Sequence, residues 1–198
     1  MVSIGGPGGS RADGRPGPDR RPGGRPVPEF GRYEVEDLLA MALADDDPDG
    51  QIRWAAVGHL HGRGDLATFT AARRLCASDT AAERVLGVDV LGELGAPERP
   101  FVDKTLSLLR YLAACDTDLR VLHAVLIAFG HLRDPRAMPS VIELSEHHDP
   151  SVRYGAAYAL SRVLGRPPDP AGLAALQRLA RDPDEDVADW AALGLILP

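Results

Sequence analysis

The chain has 198 residues, 44% of them apolar and 26% charged, the composition of a globular domain long enough to bury a sizeable core. A formal net charge of −7 argues against non-specific binding to nucleic acid or anionic membranes by the folded part. Basic residues are almost all arginine, with Lys104 the single lysine, a bias of high-GC coding rather than of function. Cys76 and Cys115 are too few for a disulfide framework and are expected to be buried free thiols. With no apolar run of about 18 residues and no apolar leader stretch, the expectation is a cytoplasmic protein without a membrane partner.

Residues 1–31 read as a disordered arm. Positions 1–29 hold eight glycines, six prolines and five arginines against Asp13, Asp19 and Glu29. Such a segment has little to bury. Its charge is +2, leaving −9 for the remainder (−7 minus +2). A linker, or a start codon assigned too early, explains it better than an RNA-binding tail.

From residue 32 the pattern changes. Val35, Leu38, Leu39, Ala42 and Leu43 form one stripe of an amphipathic helix. Helical stripes then alternate with short Asp/Pro/Gly turns to residue 198, and no stretch has the period-two pattern of a strand. The alternation repeats. D-x-x-I-R-W-A-A at 49–56 is followed by T-x-x-E-R-V-L-G at 80–87 and D-x-x-L-R-V-L-H at 116–123. D-x-x-V-R-Y-G-A at 149–156 and D-x-x-V-A-D-W-A at 184–191 complete the series. The aligned positions Arg53, Arg84, Arg120, Arg153 and Ala188 are 31, 36, 33 and 35 residues apart, the period of a two-helix solenoid unit.

This pattern resembles the HEAT repeat, and more narrowly the short bacterial units associated with phycobilisome lyases. The resemblance covers residues 32–198 and implies an all-α, right-handed α-solenoid of about five two-helix units. Asp49, Thr80, Asp116, Asp149 and Asp184 occupy one slot, suited to capping each second helix. The resemblance also implies an Asp/Arg ladder between neighbouring units, made here by Asp49, Arg53, Arg84, Asp116, Arg120, Asp149, Arg153 and Asp184. Ala188 in the last unit fits an arginine that reaches forward, since nothing follows it. Ala56, Gly87, Ala156 and Ala191, three residues on, are small enough for close helix approach. Leu60, Leu91, Ile127, Leu160 and Leu195, seven residues on, are expected to fill the core.

In HEAT-like stacks the second helices line the concave surface. One helical face there collects Trp54, Asp89, Glu93, Phe129, Tyr154, Tyr158 and Arg162, a mixture of aromatics and charges that suits a protein partner. The competing reading is that the aromatics only pack between units. No metal or cofactor is expected. The histidines lack ligand spacing, and the His-Glu pairs of HEAT-type iron hydroxylases are absent. Phosphate loops, nucleophile elbows and Cys–His pairings are absent too, so the chain reads as non-catalytic. Arg63-Gly64-Asp65 falls at a unit junction and reads as a turn. The expected function is a scaffold or adaptor for a protein partner. The alternatives are an accessory subunit of a bilin-lyase-like modifying enzyme and an immunity or regulatory protein that blocks a toxin or enzyme. The apolar end Leu193-Gly194-Leu195-Ile196-Leu197-Pro198 predicts self-association or partner docking.

Overall fold

A computed structural model describes residues 30–45, 47 and 49–196; positions 1–29 of the expected arm, Leu197 and Pro198 lie outside it. After a 3-10 turn at Phe30–Arg32 come ten α-helices, and the described residues contain no strand. They pair in chain order: α1 (Val35–Leu43) with α2 (Gln51–Arg63), α3 (Leu66–Leu75) with α4 (Ala81–Glu93), and α5 (Val102–Cys115) with α6 (Leu119–Leu132). Two further pairs follow, α7 (Met138–Leu144) with α8 (Pro150–Val163) and α9 (Pro170–Leu179) with α10 (Glu185–Ile196). Each second helix packs on the next, α2 to α4 to α6 to α8 to α10, forming a continuous row, whereas the first helices touch one another sparsely.

A single core runs through the stack, with Leu60, Leu86, Leu91, Leu126, Phe129 and Leu160 fully buried in the second-helix row. Ala56, Ala156 and Ala191 are fully buried and Gly87 is buried, so small residues do stand where neighbouring helices touch. A Cβ on Gly87 would lie 2.6 Å from the Ala72 carbonyl. Gly64 (φ +57) and Gly95 (φ +66) end α2 and the α4 turn in the left-handed region, and a Cβ on Gly64 would sit 3.0 Å from the Gly95 Cα. Only glycine meets both demands. Arg63-Gly64-Asp65 is indeed a junction: Asp65 caps α3 by accepting from the Thr68 N–H at 2.8 Å.

The caps correct the register of two units. Gly50, not Asp49, is the N-cap of α2, and Asp45 accepts from the Arg53 N–H at 3.0 Å. In the third unit Asp118, not Asp116, caps α6. Asp149 caps α8, so the two caps are 31 residues apart (149 minus 118). Shifting back by the same 31 from Arg153 gives Leu122, which is buried, as the equivalent of the arginine. Arg120 is therefore outside the slot. It folds back on Asp118 in its own turn at 2.9 Å with 70% of its side chain exposed. The same shift leaves Ile127 half-buried and makes Phe129, 31 residues before Leu160, the core residue of the third unit, while Leu195 on α10 is exposed.

Where the arginine is present it joins units. Arg84 holds Asp116 with two bonds of 2.7 and 3.1 Å, and its Nη1 donates to the Ser78 and Asp79 carbonyls. Arg153 repeats this with Asp182 at 2.8 Å twice, and with the His147 and His148 carbonyls. Each acceptor lies two residues before the next cap, in Asp116-Thr117-Asp118 and Asp182-Pro183-Asp184, so the first Asp holds the arginine and the second caps the helix. Asp184 caps α10 through the Val187 N–H and Asp149 caps α8; neither meets a ladder arginine. Arg53 pairs instead with Asp89 at 2.7 Å, inside the second unit. Asp49 has no ladder role: it is exposed, and its N–H donates to Asp47. Because Arg120 spends its charge on its own turn, Arg120→Ala is expected to leave the thermal midpoint unchanged in circular-dichroism melts.

Candidate protein-interaction face

The second-helix row presents side chains spaced by one helical turn. Trp54 leads it on α2, 46% exposed with the Arg53 guanidinium 5.9 Å from its ring. On α4, Asp89 and Glu93 follow. Asp89 is largely covered: burial pushes its carboxyl up, the Arg53 guanidinium pulls it down, and His61 bonds its backbone carbonyl at 2.9 Å. It anchors the row more than it presents charge. Glu93 is half-exposed and meets His131 Nδ1 at 2.9 Å.

Phe129 is not on this face. It is fully buried in the core, because the third unit's register is displaced from the one its sequence motif implies. The positions 31 residues before Tyr154 and Arg162 are His123 and His131, and these are the residues that meet the tyrosines. His123 stacks on Tyr154 with centroids 6.3 Å apart, and His131 lies 6.0 Å from Tyr158. Tyr158 crosses α6 where residue 130 is glycine; a Cβ there would be 2.3 Å from its ring. On the other side both tyrosines meet Trp190 of α10, at 5.7 and 6.1 Å. Arg162 lies 4.4 Å over the Tyr158 ring. Tyr154 and Tyr158 therefore join three units while keeping exposed edges. His123, His131 and Trp190 are the residues the repeat alignment missed; reading Asp118 as the cap finds both histidines.

His131 mediates between the acid and the aromatics. Burial pushes its pKa down, Glu93 opposes that, and the Arg162 charge adds to it. A ring neutral at pH 7 donates from Nδ1 to Glu93 and accepts at Nε2 from the Tyr158 hydroxyl at 3.4 Å. Its folded pKa lies below the unfolded value, so its contribution to stability is complete above about pH 6.5 and is lost as pH falls through the folded pKa. Proton NMR is expected to titrate this ring below the ordinary histidine value, and Glu93→Gln to lower it further.

Cys76 is buried and its thiol is pushed up to about 12, chiefly by burial, which makes it unreactive. Cys115 is exposed at the end of α5, contrary to expectation, because its position closes the helix on the solvent side. Among the described residues no three His, Cys or carboxylate groups converge as metal ligands would, and no helix is long and apolar enough to cross a membrane.

No curated protein matches the sequence. Among solved structures, the X-ray structure of the Escherichia coli protein YibA is similar at 21% identity and a TM-score of 0.68, over 84% of this chain and 59% of its own. The chain thus spans less than two thirds of that protein. Two designed armadillo repeat proteins, one of them in complex with the peptide (KR)4, are similar at 14% identity with TM-scores of 0.56 and 0.52. Both alignments span 82% of this chain and 81% of the designed one. At such identities the likeness is one of fold. The sequence itself matches the family model for HEAT repeats over residues 72–161 and again over 102–196, together more than half its length. With five helix pairs stacked through a continuous second-helix row, the chain belongs to the HEAT repeat family.

Proposed function

We propose that the chain is a non-catalytic scaffold that binds a protein partner along the face of its second helices. The observation that carries this is the series of part-exposed aromatic and charged side chains on that row: Trp54, Glu93, Tyr154, Tyr158 and Arg162. Trp, Tyr and Arg are enriched among the residues that carry most of the binding energy at protein interfaces, the two aromatics because they bury a large rigid area at small entropic cost. Helices fixed by a common core hold these groups in register before the partner arrives, so little ordering is left to oppose binding. Trp54 and the tyrosine edges are the apolar anchors, with Glu93 and Arg162 selecting charge. Asp89 and Phe129 support the row from beneath. A similar fold, a designed armadillo repeat protein, has been solved in complex with a peptide, and we extend that use to this chain.

Tyr154 and Tyr158 are poor sites for a test because their truncation would loosen three units. Affinity capture from host lysate is expected instead to retain a protein on the wild type and to lose it on Trp54→Glu, with the circular dichroism unchanged. Equal retention by Trp54→Glu and Glu93→Lys would overturn the reading.

A further inference from the structure

At the C-terminal end of the stack, the turn after α8 and the last helix enclose a cleft of about 720 Å³. Its rim carries Arg133, Arg162 and Arg166, and its wall includes Trp190, Leu193 and Ile196. No carboxylate lines it among the described residues. Elsewhere Arg53, Arg84, Arg136, Arg153 and Arg178 each hold a carboxylate at 2.6–2.9 Å. Among the described residues the three at the cleft hold none, and the Arg162 guanidinium lies over the Tyr158 ring instead. The wall is equally unsatisfied: Leu193 is 42% exposed and Ile196 78%. A ligand that is both anionic and apolar would pair the arginines and cover the exposed aliphatic groups together.

We infer that this cleft docks an acidic peptide segment of a protein partner, its carboxylates on the arginine rim and an aliphatic side chain against Trp190 and Leu193. The inference deepens the protein-binding reading and rests on it, since Arg162 and Trp190 belong to both the cleft and the second-helix row. A simple anion would use the rim and leave the wall bare. A second copy joined symmetrically through this end would set one arginine rim against another. In a chain of net charge −7, such a local positive site also distinguishes this end from the rest of the surface.

Fluorescence anisotropy on the full chain tests this with a short labelled peptide of alternating glutamate and leucine. Saturable binding is expected, weakening as salt rises and by about tenfold or more for Arg133→Glu/Arg166→Glu. Leu193→Asp, a single exposed change, should weaken it comparably, and glutamine–leucine and glutamate–serine peptides should not bind. Absence of binding, or binding that survives the charge reversal, would overturn the inference. So would a dimer in sedimentation equilibrium that Leu193→Asp dissolves, which would make the cleft a contact between copies. Trp54 lies at the opposite end of the row, so capture that still depends on Trp54 while the peptide fails to bind overturns the cleft alone.

Discussion

Phe129→Ala is expected to destabilise the fold by about 3–5 kcal/mol, lowering the thermal midpoint by on the order of 10 °C. The ring is fully buried on the central second helix, which packs on both α4 and α8, so the cavity weakens two interfaces of a stack held together by neighbour contacts. Below its midpoint the variant should still retain the partner, because its ring never reaches the surface. Trp54→Ala should do the reverse, costing less than about 1 kcal/mol of stability while losing the partner. Denaturant titrations read both, and a mild Phe129→Ala would place that ring outside the core.

The second large effect concerns the ladder. Arg153→Met leaves the Asp182 carboxylate, whose side chain is only 7% exposed, without its two strongest bonds. The expected cost is about 2–3 kcal/mol, less than for a fully buried pair because water still reaches part of the site. The double variant Arg153→Met/Asp182→Leu should recover most of it, since the penalty belongs to the stranded charge. The Arg153 guanidinium holds the Asp182 carboxyl below its usual range. A depressed folded pKa means the pair's stabilisation is complete above the unfolded carboxylate value of about 4 and is lost as pH falls through the folded one. Wild type and Arg153→Met should therefore begin to draw together in stability as pH falls below about 4 and converge as it passes through the depressed Asp182 pKa. A constant gap from pH 7 to pH 3 would show that the pair contributes nothing through ionisation.

Much of the fold is legible in the sequence because a two-helix repeat writes its period five times over, with a small residue at the same helix contact in four of the units. The motif misled where two aspartates compete for one slot. In Asp116-Thr117-Asp118 both residue and spacing suit a cap, and only the position of α6 shows that the first carboxylate belongs to Arg84 and the second to the helix. That two-residue ambiguity moved Phe129 onto the candidate face, kept His123 and His131 off it, and made Arg120 look like a ladder residue. The cleft was harder to foresee. Arg133, Arg166 and Trp190 come from two turns and a helix in different units, and no repeat position connects them. Leu193 and Ile196 were legible as an apolar terminus, but the arginine rim that gives this end a charge preference is a product of tertiary structure.

Site-specific photo-cross-linking most directly tests the claim that a partner lies along the second-helix row. A photoreactive phenylalanine analogue would be placed in turn at Trp54, at Arg162 and at Tyr111, the last 63% exposed on first helix α5. The account predicts adducts with one and the same protein from Trp54 and Arg162 and none from Tyr111. Adducts from Tyr111 alone would contradict it and move the interaction to the outer, first-helix side of the stack.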